Sequence, residues 1–199
     1  IDPYPAPLFP VNTSAAQIKQ EFEANPDAFK EVCLAGRLMS RRIMGKASFA
    51  ELKDSTGRIQ IYLNRDEICP DENKDLYNTV FKKLLDIGDF IGVKGHVFVT
   101  QVGEISVHVT ELILLSKSLK PLPIVKKDAE GNIHDAFTDP EQRFRMRYVD
   151  LVVNDEVRDT FIKRTKMVNA IRSFLNERGA LEVDTPVLQS IPGGAAARP

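Results

Sequence analysis

The nonapeptide RRIMGKASF (residues 41–49) places three cations, a glycine and an aromatic ring in a stretch that otherwise alternates like a β-sheet. Cations hold phosphates, and an aromatic ring stacks on an unpaired base for about 1–3 kcal/mol, whatever that base is. Base identity needs polar groups on the Watson–Crick edge. Gln60 and Glu104 could supply them downstream, since a carboxylate accepts the N3–H of uracil while an arginine donates to a uracil carbonyl. The set Arg41, Phe49, Gln60 and Glu104 can therefore read a pyrimidine such as U, with Arg42 and Lys46 on the backbone. Local charge agrees. The chain has a formal net charge of −1, yet residues 36–63 carry six basic side chains against two acidic ones. These residues also have plainer uses. A strand phenylalanine can pack a core, cations can simply solvate a face, and a glutamate beside a turn glycine can sit in water. The pattern alone leaves both readings open.

The elements that must position these residues follow from periodicity. Ser14 and Gln17 form a capping box that opens a short helix, with Ile18 and Phe22 on one face and a stop at Asn25 and Pro26. EVCLAGRLMS reads as a strand, RIMGK as a loop or bulge, and SFAELKD as a second strand with Phe49, Glu51 and Lys53 on one side. Asp54–Gly57 is a hairpin turn into RIQIYLN. Residues 71–86 have helical spacing, and two more strands follow, joined at Val102 and Gly103. Three strands, a helix and two strands is the order of the OB-fold, a barrel that commonly binds oligonucleotides.

The spacing predicts a linker over 119–138, with proline, glycine and charge but no period. From Asp139 it predicts one helix over PEQRFRMRYVDLVV and a longer one from Asn154 to Arg178, with Gly179 just past its end and Val157, Phe161, Val168, Ile171 and Leu175 as its apolar stripe. LEVDTPVL reads as a strand interrupted by Pro186. The boundaries expected are an extension and helix over 1–30, the barrel over 31–118, the linker, and the opening of a second domain over 139–199. The proline-rich start without methionine and the glycine-rich finish suggest an excerpt of a longer protein.

Other constellations point nowhere. Cys33 and Cys69 lack a CxxC partner and read as reduced thiols of a cytoplasmic protein. His96, His108 and His134 lack metal-ligand spacing, and Gly88, Gly92 and Gly95 do not make a phosphate-binding fingerprint. No apolar run is long enough to span a membrane.

The stretch GRLMSRRIMGKASFAELKDSTGRIQIYL resembles the anticodon-binding OB domain of bacterial-type lysyl-tRNA synthetases, class IIb aminoacyl-tRNA synthetases. The resemblance continues through GEISVHVTEL, KPLP, RFRMRYVDL and RGALEVDTPVLQSIPGGAAARP. It implies an α+β multidomain chain, with a five-stranded OB barrel followed by the start of a class II antiparallel α/β catalytic domain. It implies a ligase that uses ATP and Mg2+ to activate lysine and then transfers it to tRNA(Lys). By the same resemblance Phe49 stacks on an anticodon base, and Arg41, Gln60 and Glu104 contact anticodon uracils. Pro186 falls in motif 1, an element of a homodimer interface, and Gly193 falls beside bound lysine. Motifs 2 and 3, which bind ATP and the metal, would lie past residue 199. No catalytic or metal-binding residue is therefore expected within these 199.

Overall fold

Alternation builds the barrel. In β2 (Ala47–Lys53) and β3 (Arg58–Asn64), Ala50, Leu52, Ile59, Ile61 and Leu63 point inward, and Phe49, Glu51, Gln60 and Tyr62 point outward. The two strands pair antiparallel across the Asp54–Gly57 turn, which places Phe49 opposite Tyr62 and Glu51 opposite Gln60. β1 (Val32–Met44), β4 (Phe90–Val99) and β5 (Ile105–Ser116) complete a closed barrel in the order β1-β2-β3-β5-β4, with β3 and β5 parallel. This is the OB arrangement that the element order predicts. The computed structural model describes residues 2–123, 126–127, 133–134, 137–186 and 188. Residues as far as Leu122 pack as one unit, and those from Pro123 as another.

Leu34, Leu38, Leu52, Ile61, Leu63, Ile91, Val93 and Val107 fill the barrel with no more than 1% exposure, each worth about 1.5–3 kcal/mol when fully buried. The segment between β3 and β4 contributes the fully buried rings Tyr77 and Phe81. It is a π-helix (Leu76–Leu84), whose wider turn shows in the Leu85 amide donating to the Val80 carbonyl. Helical spacing predicts a helix there but not its pitch. Where β4 steps out of register between Lys94 and Gly95, a Cβ on Gly95 would lie 1.8 Å from the His108 carbonyl oxygen. Only glycine fits there.

β1 differs most from expectation. It runs on through Arg41, Arg42 and Ile43 to Met44, so RIMGK is strand and tight turn rather than loop. Its pairing with β2 slips between Leu38 and Ser40, leaving Met39 as an extra residue. One inserted residue inverts the alternation. Before it, Leu34 and Leu38 face the core; after it, Arg41 pairs with the inward Ala50, and Arg42 pairs with the outward Phe49. Lys53, expected on the outer face with Phe49, is largely covered at 9% exposure.

The amino-terminal helix α1 (Ala15–Glu21) forms where the capping box predicts it, the Ser14 hydroxyl accepting from the Gln17 amide at 3.3 Å. A short α-helical turn, α2 (Arg65–Ile68), follows β3.

In the second unit, residues read as linker include a two-residue pair of strands, β6 (Lys126–Lys127) with β7 (Ile133–His134). The single helix expected from Pro140 onward is two, α3 (Pro140–Arg145) and α4 (Arg147–Val153), because Met146 leaves helical geometry at φ −115 and ψ 53. No glycine or proline marks that break, so periodicity could not reveal it. Asp150, fully buried, gathers Arg143 Nε at 3.0 Å, Arg147 Nη1 and Asn154 Nδ2 at 2.7 Å. Burial alone would raise its carboxyl, but these donors and charges outweigh that and hold it below the usual range. α5 (Asp155–Asn176) is the long helix, closed by Gly179 at φ +84. Its Asn154 side chain does not cap it, being engaged with Asp150 and the Phe137 carbonyl. Residues 180–186 are not a strand. A strand needs a partner for its backbone groups, and none pairs with this segment among the described residues.

Candidate nucleic-acid interface

The outward residues of β1, β2 and β3 meet in a cleft of about 380 Å³. Its lining includes Arg42, Phe49, Gln60 and Glu104 of the residues singled out from sequence, together with Lys19, Glu51 and Arg58, which were not. Phe49 is half-buried, braced by Tyr62 at 5.2 Å between ring centroids, with the Arg42 guanidinium carbon 5.8 Å from its own centroid. Its ring is held in place and still reachable.

Gln60 is oriented from below. The buried Ser106 hydroxyl, its register partner on β5, donates to Gln60 Oε1 at 2.9 Å. With the carbonyl taken, the Nε2 amino group remains to donate into the cleft. Glu104 enters from the β4–β5 turn. Thr100 grips both ends of its backbone, its hydroxyl accepting from the Glu104 amide at 3.0 Å and its amide donating to the Glu104 carbonyl at 2.9 Å. The Glu104 carboxylate has no cation partner among the described residues. Arg58 and Glu51 pair with each other at 2.8 Å. The cleft thus offers an aromatic face, an amide donor, an open carboxylate acceptor and an open guanidinium. That combination suits a base lying flat with its polar edge read.

Arg41, expected from sequence beside these residues, does not line the cleft. Its Nη1 donates to the carbonyls of Phe81 and Leu85, at 2.9 Å for the latter, and so closes the end of the π-helix. The bulge at Met39 is the reason, since after it Arg42 rather than Arg41 stands outward beside Phe49. Lys46 stands at the tip of the β1–β2 turn, exposed, with Asp66 Oδ2 at 3.8 Å, and does not line the cleft. Pro186 lies exposed in the irregular segment after α5. Gly193 lies outside the described residues.

Beyond Phe49 the outer wall continues as rings. Tyr62 meets His108 at 4.9 Å and Phe98 at 6.0 Å, and His96 meets His108 at 4.8 Å. The His108 ring is bonded to the Glu67 carboxylate. Strand alternation outward from Gln60 could have found Tyr62, whereas no sequence signal places Lys19 at the cleft. Among the described residues no group of three or more His, Cys, Asp or Glu could hold a metal ion, and no helix is long and apolar enough to cross a membrane.

Comparison with known proteins agrees with this geometry. Residues 32–115 match the family described as OB-fold nucleic acid binding domain, and residues 139–199 match tRNA synthetases class II (D, K and N). The whole chain is 64% identical to the lysine–tRNA ligase of Porphyromonas gingivalis and 63% identical to those of Christiangramia forsetii and Azobacteroides pseudotrichonymphae. It spans 34% of the length of the first two and 39% of the third, so it covers about a third of the curated relatives it matches. An OB barrel with a base-sized cleft, followed by a class II segment and aligned throughout with these ligases, places the chain in the lysine–tRNA ligase family of class II synthetases.

Proposed function

We propose that the protein is a lysine–tRNA ligase acting in the cytoplasm, and that the barrel cleft binds the anticodon loop of tRNA(Lys). The carrying observation is the convergence of Arg42, Phe49, Gln60 and Glu104 on one cleft. A uracil stacked on Phe49 would donate its N3–H to Glu104 and accept at a carbonyl from Gln60 or Arg42. Cytosine has a lone pair at N3, which would face the Glu104 carboxylate unfavourably. A wrong base should cost about 1–3 kcal/mol on such grounds. Lysine, ATP and Mg2+ would be bound by the whole protein, with Gly193 beside the lysine. The 199 residues alone should catalyse nothing, because the motifs expected to bind ATP lie past Pro199. The domain limits proposed are 31–118 for the barrel and 139–199 for the class II segment.

The test is fluorescence anisotropy with an anticodon stem–loop bearing UUU against the same stem bearing GUC, at fixed ionic strength because phosphate contacts make both affinities salt-dependent. UUU should bind more tightly by about 1–3 kcal/mol, and Phe49→Ala should remove most of that binding. Equal affinities and a silent Phe49→Ala would reduce the cleft to a generic phosphate patch. Aminoacylation by the full-length protein with lysine, and not with aspartate or asparagine, tests the activity.

A further inference from the structure

The helix α1 is bolted to the β2–β3 turn, next to Arg58 of the cleft. The Ala15 amide donates to Asp54 Oδ2 at 2.7 Å, and the Ala16 amide donates to Thr56 Oγ1 at 3.0 Å. The other Asp54 oxygen, Oδ1, accepts from the Thr56 amide at 2.7 Å, the Thr56 hydroxyl at 2.7 Å and the Gly57 amide at 2.8 Å. One carboxylate thus shapes the β2–β3 turn and docks the helix on it. Ala15 and Ile18 are fully buried beneath the helix, which fixes its rotation as well as its place. Lys19, one residue beyond Ile18, is thereby brought to the cleft and lines it.

The charge balance of the cleft shows what Lys19 adds. Its ionic lining is Lys19, Arg42 and Arg58 against Glu51 and Glu104. Arg58 and Glu51 neutralise each other at 2.8 Å. Without Lys19, Arg42 would stand against Glu104 and the cleft would carry no net charge. A neutral cleft has little electrostatic reason to draw in a polyanion. The base-reading groups are already supplied by Gln60 and Glu104, and a lysine is a flexible point charge suited to phosphate rather than to a base edge. Lys19 has no carboxylate partner among the described residues.

We propose that α1 is a third wall of the RNA site, and that Lys19 holds a backbone phosphate of the strand whose base lies on Phe49. This rests on the reading of the cleft as an anticodon site. Asp54 and Thr56 act as positioning residues for it.

The experiment measures the affinity of full-length wild type and Lys19→Gln for UUU and GUC stem–loops over a tenfold range of salt. Loss of one phosphate contact on a single strand lowers the slope of log affinity against log salt by about 0.7. Over that range Lys19→Gln should therefore lose about fivefold less affinity than wild type. It should bind both RNAs more weakly at low salt by the same factor, keep the UUU:GUC ratio and melt like wild type. Lys19→Arg should restore the slope. An unchanged slope in Lys19→Gln overturns the phosphate contact, and so does a loss confined to UUU. Wild type that binds both RNAs equally overturns the anticodon reading but leaves the Lys19 slope meaningful. Wild type that binds neither RNA overturns both.

Discussion

On the proposed anticodon reading, Ser106 contributes to base identity alongside Glu104 by orienting Gln60. It is fully buried, touches no solvent, and fixes the Gln60 amide by donating to Oε1 at 2.9 Å. The amino group left in the cleft suits a pyrimidine carbonyl, as on uracil, and opposes the exocyclic amino group of cytosine. Ser106→Ala frees the amide to turn over and meet either base. Discrimination between UUU and a C-substituted stem–loop should then fall by about 1 kcal/mol, roughly fivefold, with affinity for UUU nearly kept. An unchanged U:C ratio in that variant would remove Ser106 from the specificity account. At this scale strict alternation in β2 and β3 makes the shared outward face of Phe49 and Gln60 legible, whereas Glu104 enters from the β4–β5 turn and no strand period announces it. Which of Arg41 and Arg42 lines the cleft is not legible, for an equally physical reason. A bulge at Met39 shifts the phase of β1 and leaves no turn residue to announce itself.

Among elements, the barrel was legible and the second unit less so. Hairpin turns with glycine, period-two strands and a capping box are local signals, and each produced the expected element. The π-pitch of Leu76–Leu84, the break at Met146 and the missing strand over 180–186 depend on packing partners distant in sequence or outside the described residues. The docking of α1 is of the same kind, since it joins Ala15 to Asp54 across 39 positions. It carries a pH prediction. Burial alone would raise the Asp54 carboxyl, but hydrogen bonds from the Ala15 amide, Thr56 and the Gly57 amide outweigh it and hold the group below the ordinary carboxylate range. A value lowered on folding stabilises the fold above that range, and the contribution fades as pH falls through the lowered value. In an acid titration followed by NMR, the Ala15 and Ala16 amides should shift together with an inflection below that of a free aspartate. Asp54→Asn should abolish the inflection. Amides that titrate like a free carboxylate would show that Asp54 does not hold the helix.

For the whole molecule, the open question is what covers α5. Phe161, Ile171, Phe174 and Leu175 are 42%, 54%, 52% and 47% exposed along this 22-residue helix. Single exposed apolar residues are ordinary, but several in one helix mark a surface that another surface covers. The proposed occupant is a second copy, as the resemblance to class II synthetases implies for the motif that would include Pro186. A homodimer interface is isologous, so each apolar residue of α5 in it would be buried once in each copy and count twice. Sedimentation of the full-length protein should therefore give a dimer. Ile171→Asp with Phe174→Asp should shift it to monomer, since two charges per copy would enter a desolvated contact. The UUU affinity per chain should not change, because the cleft draws its lining from Lys19, the barrel strands and the β4–β5 turn alone. A wild-type monomer at micromolar concentration would refute the dimer, and an intact dimer in the double variant would move the interface away from α5. In either case the proposed anticodon reading of the cleft would stand unaltered, because the residues lining the cleft all come from one chain.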